Sequence, residues 1–218
     1  MQIRQGIQMQ STNGILISIE GIDGSGKTTL AHNLSAALTQ QGFSVLLTRE
    51  PGGCSLGKQI RPILQTQEIP LDPKAEYLLF AADRAQHFHE VVLPALENNM
   101  IVISDRMADS SLVYQGYGRG LDKELIATIN SWAMQKRHPD ITFYVRISFA
   151  VSQERLQSRG ALTAFEKEKE SFTTNLIDGF DALFTNKKNG YTLDGTQQPE
   201  LVTKQALARV LQWINQSQ

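Results

Sequence analysis

Apolar, β-branched runs recur along the chain at 15–19 (Ile-Leu-Ile-Ser-Ile), 44–48 (Ser-Val-Leu-Leu-Thr), 100–104 (Met-Ile-Val-Ile-Ser) and 141–147 (Ile-Thr-Phe-Tyr-Val-Arg-Ile), with a weaker one at 190–193. Between them, residues 27–41, 55–66, 74–98, 121–136, 149–158, 165–185 and 198–215 carry apolar positions at helical spacing. Strands alternating with helices predict βαβ units and a parallel sheet covered on both faces. Right-handed crossovers then bring the loops after the strand C-termini to one edge, where ligands bind. One stretch departs from this rhythm. Gln157 to Glu170 is rich in charge (Phe-Glu-Lys-Glu-Lys-Glu) and reads as a mobile connection between helices.

The 218 residues suffice for one well-buried α/β domain, and no composition break marks a second. Residues 1–14 are polar, with Gln at 2, 5, 8 and 10, and lack the apolar core of a signal peptide; they read as a flexible extension ahead of a domain over 15–218. The formal net charge is −1, so no broad basic surface advertises a nucleic-acid polymer. No apolar run approaches membrane-spanning length, and Cys54 is the single cysteine, which fits a reducing compartment. A cytoplasmic protein is the expectation.

Chemistry enters where the first strand ends. Gly21-Ile22-Asp23-Gly24-Ser25-Gly26-Lys27-Thr28-Thr29 matches Gly-x-x-x-x-Gly-Lys-Thr between a predicted strand and a predicted helix, the context a triphosphate-binding P-loop requires. Its backbone N–H groups curl around phosphate oxygens, Lys27 reaches the β- and γ-phosphates, and the Thr28 hydroxyl serves Mg²⁺. The second strand runs into Arg49-Glu50-Pro51-Gly52-Gly53, a stiff loop open to close approach by a ligand or simply a Pro-Gly turn. On the 74–98 helix, Phe80 and Arg84 share a face. A ring beside a guanidinium suits a nucleobase, and a core Phe with a solvated Arg is the plainer alternative. His87 and His89 lack the spacing of a helical metal site and read as structural or surface residues. The third strand ends in Asp105-Arg106: a carboxylate placed for Mg²⁺ and a cation placed for a second phosphate. Downstream, Ser111 and Gln115, like Ser110 and Tyr114, fall on shared helical faces.

Together, Glu20-Gly-Ile-Asp-Gly-Ser-Gly-Lys-Thr-Thr29, Thr48-Arg-Glu-Pro-Gly-Gly53, Leu79-Phe-Ala-Ala-Asp-Arg84, Ser104-Asp-Arg106 and Tyr114-Gln-Gly116 resemble the bacterial thymidylate kinases, in order from about 15 to 195. The resemblance implies a three-layer P-loop kinase fold, with a five-stranded, mostly parallel sheet and a short mobile lid at about 157–168. It implies transfer of the γ-phosphoryl of ATP to dTMP, with Mg²⁺, in a homodimer whose seam is an apolar face of helix 74–98 or 121–136. It also implies residue roles. Asp23 faces the sugar 3′-hydroxyl, Phe80 stacks on thymine, Arg84 and Gln115 bond its edge, and Ser111 belongs to the dTMP site. Tyr114 crowds the 2′ position; Arg49, Arg61 and Arg106 surround the acceptor phosphate; Thr28 and Asp105 serve the metal.

The lid departs from the family pattern. A Leu-Asp-Arg-Phe/Ile-Glu context is expected where this chain has Leu162-Thr163-Ala164-Phe165-Glu166, so Ala164 stands at the arginine position. Arg155 and Arg159, four apart, are the candidates to supply that charge, and a solvated helix face is the alternative for both. Two competing functions follow: a kinase for another nucleoside monophosphate or a deoxynucleoside, and a nucleotide-binding protein with weakened catalysis. A bare nucleoside would leave Arg49, Arg61 and Arg106 without a phosphate, and no Asn-Lys-x-Asp guanine-reading segment is present.

Overall fold

The computed structural model describes residues 14–66, 70–158, 163 and 165–216. Of the expected N-terminal extension only Gly14 falls within them, and Arg159 and Ala164 of the lid lie outside. The elements are β1 (Ile15–Glu20), α1 (Lys27–Gln40), β2 (Val45–Arg49), α2 (Ser55–Thr66), α3 (Pro73–His87), α4 (Leu93–Glu97), β3 (Ile101–Asp105), α5 (Ala108–Ser111), α6 (Lys123–Ala133), β4 (Ile141–Arg146), α7 (Phe149–Gln157), α8 (Glu170–Thr185), β5 (Gly190–Asp194) and α9 (Pro199–Gln216).

The sheet has the order β2-β3-β1-β4-β5, and each pairing is parallel. β1 sits centrally and is buried along its whole length, which explains its unbroken apolar run. Its side chains still alternate. Ile15, Ile17 and Ile19 join Leu30, Leu34 and Leu38 of α1 and Val202, Ala206 and Val210 of α9 in one core. Leu16 points the other way, into a cluster with Phe88, Val92 and Leu96. Ser18 and Glu20 share that second parity, and Ser18 Oγ donates to Glu20 Oε1 at 2.6 Å. Polar atoms thus enter the core from β1 on the face leading to the loops.

Three stretches expected to be helical are not plain α-helix. The 74–98 segment is continuous, but Phe88–Val92 widens to a π-turn before α4. Pro94 follows within α4 and has no N–H to return to the carbonyl four residues back. After α5, Leu112–Gly118 is again π-helical. Segment 165–185 is broken into a short 3₁₀ turn, Phe165–Lys167, and α8.

Candidate active site

β1, β2 and β3 end side by side, and the loops they release line one cavity of about 980 Å³. The loop after β1 curls as its sequence demands. Gly21 has φ +141°, and a Cβ there would stand 2.5 Å from the Val145 carbonyl oxygen; Gly26 at φ +97° opens α1. Lys27 is buried at the start of α1, and its Nζ donates to the Ile22 carbonyl at 2.6 Å. Ile22 itself points into a core with Val113, Tyr114 and Tyr144. Burial, followed by the charge of Arg106, pulls the Lys27 ammonium down to about 8, against the opposing pull of Asp23, Asp105 and Glu20. The negative charge of an arriving triphosphate would raise it again. The Thr28 hydroxyl donates to Asp105 Oδ2 at 2.5 Å, so the two expected metal-side oxygens, from α1 and the end of β3, are neighbours.

Arg106, just past β3, holds φ +72°, left-handed backbone that a non-glycine residue adopts at a cost of about 1 kcal/mol. That backbone aims its guanidinium back across the cavity. Nη1 donates to the Gly21 carbonyl at 2.8 Å and to Ser110 Oγ at 3.1 Å; Nη2 pairs with Asp23 and donates to the Tyr114 hydroxyl at 3.1 Å. The guanidinium also lies 5.0 Å from the Tyr114 ring centre. Ser110 Oγ in turn donates to Glu20 Oε2 at 2.5 Å. Burial and then the Asp109 charge push the Glu20 carboxyl up to about 7, despite its two serine donors. Burial works against the Arg106 charge, but Tyr114, Asp23, Asp105 and Glu20 together overturn that and hold it more firmly protonated than usual.

The loop after β2 is built on a buried charge network. Glu50 accepts from Arg84 Nε at 2.8 Å and faces His87 Nδ1 at 3.1 Å, while His87 Nε2 meets Thr48 Oγ1 at 2.7 Å. Burial pushes Glu50 up, and Arg84 and His87 outweigh it, leaving its carboxyl below the ordinary value. Losing one member of such a buried pair costs about 3–5 kcal/mol. Arg61 Nη1 donates to the Pro51 carbonyl at 2.6 Å, and Arg49 stands exposed at the end of β2. Arg49, Arg61 and Arg106 line the same cavity, as do Phe80, Arg84, Ser111, Tyr114 and Gln115.

A thymidylate kinase family model matches residues 19–206. The chain is 41% identical to the thymidylate kinase of Acinetobacter baumannii over 196 residues, 88% of this chain and 98% of that protein. It is 47% identical to that of Halothermothrix orenii over 142 residues, 65% of this chain and 69% of the relative. The crystal structure of thymidylate kinase from Ehrlichia chaffeensis superposes with a TM-score of 0.74 at 30% identity, covering 90% of this chain and 98% of that one. The chain belongs to the thymidylate kinase family.

Within that family frame, Arg84 is neither solvated nor loosely held. It is buried, with Nη1 donating to Asn130 Oδ1 at 2.6 Å and Nη2 to the Met107 carbonyl and Ser111 Oγ, each at 3.1 Å. With Glu50 this engages four of its five N–H groups. Asn130 reaches it from α6, 46 residues away, and no local signal in the sequence announces it. Gln115 is held through one side of its amide, its Nε2 donating to Glu76 Oε1 at 2.9 Å. Asp83, beside Arg84, accepts the Gly52 N–H at 3.0 Å through Oδ1 and so pins the acceptor loop to α3.

Arg155, on α7, packs against the P-loop from the side. Its Nη1 donates to the Gly24 carbonyl at 3.1 Å and its Nη2 to the Gly195 carbonyl at 2.8 Å. Within the charged 157–170 connection, expected to be a mobile link, two described residues are packed or bonded. Glu166 is buried and accepts the Thr163 N–H at 2.7 Å. Phe165 packs edge-on to Tyr114 with centroids 5.7 Å apart, and lies 6.1 Å from Phe80. The run of Glu and Lys concealed this, because one aromatic residue decides where it docks.

Proposed function

We propose that this chain transfers the γ-phosphoryl group of ATP to dTMP, giving dTDP and ADP, in the supply of dTTP. One observation carries the reading: a phosphate-cradling loop and a second set of cations face each other across a single cavity. Two polyanions must be brought in line within reacting distance, so catalysis rests on positioning and charge, with little covalent work for side chains.

On the donor side, backbone N–H groups of 21–29 and Lys27 hold the triphosphate of ATP. Thr28 and Asp105 offer adjacent hard oxygens of the kind Mg²⁺ takes, phosphates and water supplying the rest. When bound, Mg²⁺ neutralises charge on the phosphates. On the acceptor side, Phe80 stacks on the thymine, Arg84, Ser111 and Gln115 address its edge, and Asp23 and Tyr114 face the sugar. Arg49, Arg61 and Arg106 grip the monophosphate. Arg106 joins the halves, because its partners Gly21 and Asp23 belong to the P-loop.

Ala164 leaves the lid without the arginine its family places there, so Arg159, with Arg155 in support, supplies the charge that builds in the transition state. Arginines in this role are worth ~10³-fold or more. Arg159→Ala is expected to slow turnover by at least about tenfold; an unchanged rate would assign the charge elsewhere, or to a chain with weakened catalysis. The chain acts in the cytoplasm; among the described residues no helix is long and apolar enough to cross a membrane.

It acts as a homodimer. Leu56 and Ile63 on α2, Leu78 on α3, and Leu125 and Trp132 on α6 are exposed, Trp132 by 78%. These helices pack in the order α2, α3, α6, so the apolar residues fall on one helical layer. Product chromatography after mixing the chain with ATP, Mg²⁺ and dTMP tests the catalytic reading. A dTDP peak is expected, and its absence with both nucleotides bound would favour a binding protein.

A further inference from the structure

Gln115 Nε2 donates to Glu76 Oε1 at 2.9 Å, with both residues buried. A carboxylate paired with arginine accepts hydrogen bonds and donates none, so the amide must turn its NH₂ toward Glu76. Its carbonyl, Oε1, is thereby turned away from Glu76. Among the described residues Oε1 receives no hydrogen bond, and Gln115 lines the cavity with Phe80 and Arg84.

Glu76 is itself fixed. Arg119 donates to it twice, Nη2 to Oε2 at 3.2 Å and Nε to Oε1 at 3.4 Å, and pairs through Nη1 with Glu168 at 2.5 Å. The Arg119 guanidinium lies 4.7 Å from the Phe172 ring centre and 5.6 Å from that of Phe165. An arginine held on two carboxylates and two rings has little freedom, so Glu76 keeps its orientation and passes it to Gln115.

The two pyrimidines present opposite patterns on this edge. Thymine and uracil carry an N3–H donor beside the O4 acceptor, whereas cytosine carries an N3 acceptor beside an amino donor. An outward carbonyl on Gln115 and a guanidinium donor on Arg84 match the first pattern and oppose the second. We infer that Glu76 is a specificity-determining positioning residue: by locking the Gln115 carboxamide with its carbonyl toward the base, it selects a pyrimidine with N3–H over one whose N3 is an acceptor. This rests on the reading of the cavity as the monophosphate site.

The test is calorimetric binding of dTMP, dUMP and dCMP to the full chain, for wild type, Glu76→Gln, Glu76→Asp and Gln115→Ala, with KM for ATP measured alongside. A glutamine at 76 donates as readily as it accepts, so the Gln115 amide is free to turn over. The wild type is expected to bind dTMP more than tenfold tighter than dCMP. In E76Q that ratio falls by about tenfold, the worth of one matched against mismatched buried hydrogen bond. The dTMP:dUMP ratio stays within about twofold, because both rings carry N3–H, and KM for ATP is unchanged. E76D keeps an acceptor-only group and keeps the dTMP:dCMP ratio; if it loses that ratio as E76Q does, the role is merely structural and the inference fails. If Q115A lowers the ratio and E76Q does not, orientation by Glu76 is refuted while the site stands. If Q115A changes neither dTMP affinity nor the ratio, the reading of the site falls as well.

Discussion

Asp83, on α3 behind the loop that follows β2, is in an uncomfortable state. Oδ1 takes the Gly52 N–H, but Oδ2, fully buried, has no partner among the described residues. Burial, then the nearby Glu50 charge, push its carboxyl up to about 6, against the pull of Gly52, His87 and Arg84. A carboxyl whose folded value exceeds its unfolded value near 4 binds its proton more tightly in the native state. Its contribution to stability is therefore complete below about pH 4 and is lost as the pH rises through about 6. Asp83→Asn removes this dependence. Denaturant unfolding across pH 4.5–7.5 should show the wild type losing, relative to D83N, on the order of 2 kcal/mol. Parallel curves would mean that the carboxylate is relieved by a group outside the described residues.

At the scale of elements, the loop after β2 shows how tightly a site can be tied to its scaffold. A Cβ on Gly53 would stand 2.5 Å from both the Arg49 carbonyl oxygen and His87 Nε2. Neither can retreat, since His87 is held by Thr48 and Glu50. Gly53→Ala is expected to cost roughly 1–3 kcal/mol of stability and to raise KM for dTMP with little change in KM for ATP, which the P-loop sets. Equal changes in both would place the strain elsewhere. The strands themselves were legible in the sequence to within a residue or two, because a central parallel strand announces itself as an apolar run. The π-turns at 88–92 and 112–118 were not, as apolar spacing barely distinguishes them from α-helix. The Ser111–Gln115 pairing nonetheless holds: both side chains bond partners on α3, Arg84 and Glu76.

On the scale of the whole molecule, what escaped the sequence is long-range. Motif residues around phosphates lie within short loops and are found by spacing. Their supports, Asn130, Glu76 and Arg119, come from distant elements and carry no signature of their own. The proposed homodimer belongs to this scale too. Trp132→Lys with Leu125→Lys, both exposed, should shift sedimentation from dimer to a folded monomer at micromolar concentration, with an unfolding temperature that no longer depends on protein concentration. A wild type that sediments as a monomer there would remove the seam. If two nucleotides meet across this one cavity, as proposed, the chain must discriminate sharply among acceptors. ADP release by the purified chain with ATP and Mg²⁺ is measured in turn against dTMP, dUMP, dCMP, CMP and thymidine. The highest kcat/KM is expected for dTMP, and for thymidine, which leaves the three arginines without a phosphate, a value lower by at least about 10³-fold. Turnover with dTMP no greater than with CMP or thymidine would contradict it.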